Sequence, residues 1–147
     1  MSASSSSKVT LAPGPDAVAQ ALGWLEAIAE RECWPPRPTF GLTLSLDEAL
    51  TNVLSYAFAE PPSPAGRPRI ELDCRQTDTH FLVELRDNGR PYDPTTKESP
   101  ALAASLDEAE PGGHGLRLMH HYLDRLDYRQ EQGWNVLTMA VRRDGDD

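Results

Sequence analysis

The stretch "EPGGHGLRLMHHYLDRL", residues 110–126, decides how this chain is read. Its second half is amphipathic: Leu116, Met119, Leu123 and Leu126 recur at helical spacing and form an apolar stripe. Its opening is poor for a helix. Gly112, Gly113 and Gly115 stand where a capping side chain is expected, and a glycine inside a helix costs about 1 kcal/mol relative to alanine. One reading is a flexible joint between loop and helix. The other is a backbone that must approach a ligand where a Cβ would clash, at a helix N-terminus whose free N–H groups favour phosphate. No Gly-Lys-Ser/Thr follows, so this is not a Walker loop. The spacing, and a long loop where a strand is needed, also exclude a dinucleotide fingerprint.

Upstream, residues 90–111 carry prolines, charges and alanines without period, which predicts a mobile loop with a short helical piece near 101–108. Before it, "RIELDCR" (69–75) and "FLVELRD" (81–87) alternate apolar and polar residues and read as half-buried strands. The second strand runs into "LRDNGRPYDP" (85–94). Asn-Gly could turn a hairpin, but "RPYDPTTKESP" is a poor partner strand. Asp87 therefore closes a strand, next to a glycine that allows close backbone approach, which makes it a candidate ligand contact.

Two helices precede these strands. From Pro15 to about Glu32, Val18, Ala21, Leu22, Leu25, Ile28 and Ala29 share a face, and "WPPRP" (34–38) ends the run. A second helix starts at Thr39 or Ser45 and reaches Ala59, with Leu46, Leu50, Val53, Leu54 and Ala57 on one side. Glu48 and Asn52, four residues apart, lie on or near the other. A carboxylate and an amide oxygen together suit a hydrated Mg²⁺ and a hydroxyl to be deprotonated. Against this, Ser45-x-x-Glu48 has the form of a capping box, in which Glu48 merely caps the helix. "KVTL" (8–11) reads as a first strand, and "LDYRQEQGWNVLTMAVRR" (126–143) as a closing hairpin turning at Gln132–Gly133. The order predicts an α+β, two-layer sandwich: a mostly antiparallel mixed sheet with three helices on one face.

The bulk properties narrow the function. A chain of 147 residues favours a single domain, here residues 8–143, between a disordered 1–7 tail and an acidic 144–147 tail. The charge is −9, from 14 basic and 23 acidic residues, which argues against nucleic-acid binding. No apolar window reaches the roughly 18 residues of a membrane span, and "MSASSSSK" has no signal-peptide core. Cys33 and Cys74, without metal-ligand spacing, fit two reduced thiols in a cytoplasmic protein. His114, His120 and His121 lack an obvious set of metal partners and read as surface or pocket-rim residues.

In combination the motifs are more specific. "LSLDEALTNVLSYAF", "VELRDNGRPYDP" and "GGHGLRLMHHYLDRLDYRQEQGWNVLTMAVRR" resemble the N box, first glycine box and second glycine box with closing strands of the GHKL (Bergerat-fold) ATPase superfamily. The similarity is greatest to its branch of anti-sigma-factor serine/threonine kinases. The resemblance implies that Asn52 ligates Mg²⁺, Glu48 is the general base, Asp87 accepts from the adenine amino group and Gly89 makes room for the base. It implies a lid over 93–111, and a phosphate cradle at Gly113, His114, Gly115 and Leu116. Thr138 would support the adenine end. The implied function is an ATP-binding anti-sigma factor that phosphorylates a small STAS-type antagonist protein and binds a sigma factor or similar client. A homodimer through the exposed sheet face or edge is implied in the same way. A non-catalytic ATP-binding module that controls its partner by contact alone is the alternative. Two departures bear on catalysis. Tyr56 stands where the family often has histidine. The glycine box holds no lysine or arginine to meet the γ-phosphate, a task left to Arg117, Lys97 or a partner's basic residue.

Overall fold

The computed structural model describes residues 6–57, 68–91 and 119–143. Five strands form one sheet in the order β1-β2-β3-β5-β4: β1 Ser6–Leu11, β2 Ile70–Gln76, β3 His80–Asp87, β4 Arg125–Glu131 and β5 Trp134–Arg142. The four pairings among the described residues are all antiparallel, in line with the mostly antiparallel sheet expected from sequence. The closing hairpin turns at Gln132 and Gly133, both at positive φ, as predicted.

Strand alternation divides the sheet into two faces. Ile70, Leu72, Cys74, Phe81, Val83, Leu85, Leu137, Met139 and Val141 point to the helices and are buried. The opposite face carries a lattice of charges. Arg86 lies within 3.8 Å of Glu71, 3.7 Å of Glu84 and 3.6 Å of Glu131, and Arg129 reaches Glu84 at 3.5 Å.

Helix α1 (Ala17–Arg31) buries Ala17, Ala21, Leu25, Ile28 and Ala29, the stripe read from sequence. It ends before the prolines. Cys33 adopts φ 58°, and the N–H groups of Cys33 and Trp34 donate to the carbonyls of Glu30 (3.2 Å) and Ala29 (2.9 Å). This pair of bonds is a Schellman closure, formed here without glycine. Trp34 then stacks on Phe81 with centroids 4.0 Å apart, pinning the helix end to the sheet.

Helix α2 (Pro36–Asn52) starts earlier than the sequence suggested. Pro35 is the extended cap and Pro36 the first helical residue, where proline's fixed φ and missing N–H cost nothing. Ser45 is consequently deep in the helix, fully buried, and its Oγ has no hydrogen-bond partner. The capping-box reading of Glu48 falls with it. After Asn52 the helix widens into one π-type segment, Val53–Ala57. Residues 119–122 form the last helical piece, with Met119 in the core. It packs closely on α2: a Cβ on Gly41 would lie 2.9 Å from the Cβ of Tyr122.

Candidate nucleotide site

The site grows from the end of β3. Asp87 faces the helices, is 3% exposed, and stands opposite Asn135 of β5 in the sheet register. Its Oδ1 accepts two hydrogen bonds, from Asn135 Nδ2 at 2.8 Å and from the Gly89 N–H at 3.0 Å. Among the described residues no hydrogen bond falls on Oδ2, which leaves it open to a ligand. Burial raises the pKa of Asp87, against the opposing pull of the bonds from Asn135 and Gly89. Asn88 does not turn a hairpin. Its Oδ1 accepts from the Arg69 N–H at 2.8 Å, tying the loop to the root of β2.

Asn135 also donates to the carbonyls of Gly89 (3.3 Å) and Arg90 (3.1 Å), so one amide holds both the carboxylate and the backbone that leaves it. Across the sheet–helix gap, Asn52 at the end of α2 lines the same small cavity as Asp87, Tyr128 and Asn135. Ala49, Val53, Leu85 and Leu137 complete an otherwise apolar wall. An apolar wall that carries one carboxylate suits a purine bearing an exocyclic amino group. The π-type segment begins at the residue after Asn52, where such widenings often accompany function.

Glu48 sits one turn before Asn52 on α2, half-buried and outside this cavity's described lining. Burial raises its carboxyl pKa, and the neighbouring Asp47 charge adds to the rise. Both effects favour proton acceptance, as a general base requires.

Thr138 is not brought to the site. Alternation along β5 turns Asn135 and Leu137 inward and Thr138 outward, between Glu84 and Asp127 on the charged face. Asn135 occupies the place beside Asp87 that Thr138 was expected to support. The sequence reading missed it, although an asparagine entering an otherwise apolar strand is a signal, since asparagine is depleted in strands. Gly113, His114, Gly115 and Leu116, the expected lid, Lys97 and Arg117 lie outside the described residues. His120 and His121 are exposed, as expected. Among the described residues no three His, Cys, Asp or Glu side chains group to hold a metal.

Comparison with known proteins identifies the family. The model of the histidine kinase-like ATPase domain matches residues 11–141. The chain belongs to that family. Within it, the chain is 52% identical over 120 residues to the serine/threonine-protein kinase BtrW of Bordetella bronchiseptica, covering 82% of each protein. The fold is also similar to part of the structure of the RsbU and RsbW domains of Rv1364c from Mycobacterium tuberculosis (TM-score 0.66, 11% identity, 94% of this chain and 32% of that one). A blue-light activated histidine kinase domain from Erythrobacter litoralis is similar as well (TM-score 0.55, 17% identity, 86% of this chain and 61% of that one). These likenesses bear out the GHKL resemblance and the α+β sandwich, with helices packed on one face of the sheet. Both cysteines are free, Cys33 exposed and Cys74 buried. No helix among the described residues is long and apolar enough to cross a membrane.

Proposed function

We propose that the chain is an ATP-dependent serine/threonine protein kinase of the anti-sigma-factor type. The reading rests on one combination: Asp87, with an oxygen left for a base, and Asn52 line a common cavity, in a chain half identical to a named serine/threonine kinase. Asp87 Oδ2 accepts from the adenine amino group, and Gly89 lets the base approach. The backbone at Gly113, His114, Gly115 and Leu116 meets the phosphates. Mg²⁺ binds few protein oxygens and completes its shell with water and phosphate, so the Asn52 amide oxygen fits as its protein ligand. The ion supplies charge neutralisation on the triphosphate when bound.

Glu48 takes the proton of the attacking serine or threonine hydroxyl while the γ-phosphoryl group passes to that oxygen and ADP leaves. The substrate is a small STAS-type antagonist protein, and a sigma factor or similar client is the second partner. The charged outer sheet face, with both signs interleaved, suits pairing with another copy in a homodimer. The acidic, span-free sequence fits a cytoplasmic setting.

The test is to mix the chain with Mg-ATP and a cognate antagonist and look for a phosphoprotein by mass spectrometry. Its absence, with a Glu48→Ala variant still controlling the partner fully, would replace the kinase by a module acting through contact alone.

A further inference from the structure

The hydrogen bonds at Asp87 do not stop at Asn135. On β4, alternation turns Leu126, Tyr128 and Gln130 toward the helix side of the sheet, paired in register with Met139, Leu137 and Asn135. The Tyr128 hydroxyl donates to Asn135 Oδ1 at 2.5 Å and accepts from Gln130 Nε2 at 3.0 Å. A side-chain amide has an acceptor end and a donor end, and rotating it by half a turn exchanges them. Here both ends are read. Tyr128 offers a proton to the oxygen, while Asp87 Oδ1 and two backbone carbonyls face the nitrogen. A flipped amide would set its oxygen against three acceptors and take from the Tyr128 proton the acceptor it now has.

We propose that Tyr128 is a positioning residue for purine selection: its hydroxyl locks the Asn135 amide, which holds Asp87 Oδ1 and the Gly89–Arg90 backbone so that Oδ2 meets the base. The inference rests on the adenine reading of Asp87 given above. The Tyr128 ring packs against the core and is half-buried, a role phenylalanine fills equally well. The hydroxyl makes no demand of packing. Its work is to fix one orientation of one amide, two bonds away from the ligand.

The separation of ring from hydroxyl gives the test. Binding of ATP and of inosine triphosphate, each with Mg²⁺, is measured by calorimetry for wild type and Tyr128→Phe. Inosine carries a carbonyl oxygen where adenine carries its amino group, so it gains nothing from a well-aimed Asp87. Loss of one supporting hydrogen bond predicts that the variant binds ATP about three- to tenfold more weakly, with inosine triphosphate changed less than about twofold and the melting temperature lowered by no more than the few degrees that one lost hydrogen bond costs. Repeating Tyr128→Phe in an Asn135→Ala background should cost nothing further, because the relay is already cut. Equal losses for both nucleotides would reduce Tyr128 to a structural residue, and an unchanged ATP affinity would remove the relay altogether. A wild type that binds neither nucleotide would overturn the adenine reading itself, and this inference with it.

Discussion

Replacing Asp87 by asparagine separates binding from folding at a single atom. Among the described residues both bonds to the carboxylate fall on Oδ1, from Asn135 Nδ2 and the Gly89 N–H. In Asp87→Asn the amide oxygen keeps that anchored place, because two donors face it. The NH₂ group then replaces Oδ2 and confronts the adenine amino group, donor against donor. A hydrogen bond to a charged group contributes about 1.5–3 kcal/mol, and an opposed buried donor costs about 1–3 kcal/mol more. The sum, on the order of 2.5–6 kcal/mol, weakens ATP binding by roughly two to four decades. Inosine triphosphate should show the reverse trend, since its carbonyl oxygen accepts from the new NH₂.

Stability should not fall with binding. Burial holds the folded-state pKa of Asp87 above the unfolded value, about 3.9. The ionised form therefore disfavours the folded state at neutral pH, and that penalty is relieved as pH drops through the folded pKa toward the unfolded one. Asp87→Asn removes the penalty and with it this component of the pH dependence. Calorimetric titration with both nucleotides and thermal unfolding between pH 4 and pH 8 read the two effects in one preparation. Wild-type ATP affinity in the variant would refute the placement of the base at Oδ2. Loss of both nucleotides together with a lowered melting temperature would refute the anchoring of Oδ1.

Three further substitutions test the frame around the site. Glu48→Gln should leave ATP binding within about twofold in calorimetry and lower phosphoryl transfer by at least roughly a hundredfold. Wild-type transfer rates should fall as pH drops through the raised pKa of Glu48, because the base works ionised. Gly41→Ala gains about 1 kcal/mol of helix propensity, but its Cβ would sit 2.9 Å from the Tyr122 Cβ, which cannot swing aside. Overpacking of this kind costs about 1–3 kcal/mol, so urea unfolding should show a net loss of up to about 2 kcal/mol. Cys33→Gly relieves a left-handed residue at φ 58° and should stabilise by about 1 kcal/mol in the same assay.

What could be read from the chain follows the range of the forces involved. The stripe Ala21, Leu25, Ile28 and the alternation of "FLVELRD" are local, so strands, helices and the closing hairpin came out near their observed limits. Helix ends did not. The Schellman closure at Cys33 used a residue with no strong left-handed preference, and the prolines at 35 and 36 opened α2 as well as following α1. That error carried into the site, because starting α2 too late made Ser45 look like a cap and Glu48 like its partner. Asp87 and Asn52 were legible as single motifs, yet their common cavity depends on β3 lying beside β5 and under α2. Asn135 was missed for the same reason. It is 48 residues from Asp87 along the chain, and only the register of β5 decides that it, rather than Thr138 three positions later, turns inward. A shift of one residue would exchange the two faces. Tyr128 is one strand further away still, so the relay it heads is a property of strand order, and strand order is what local sequence patterns record least.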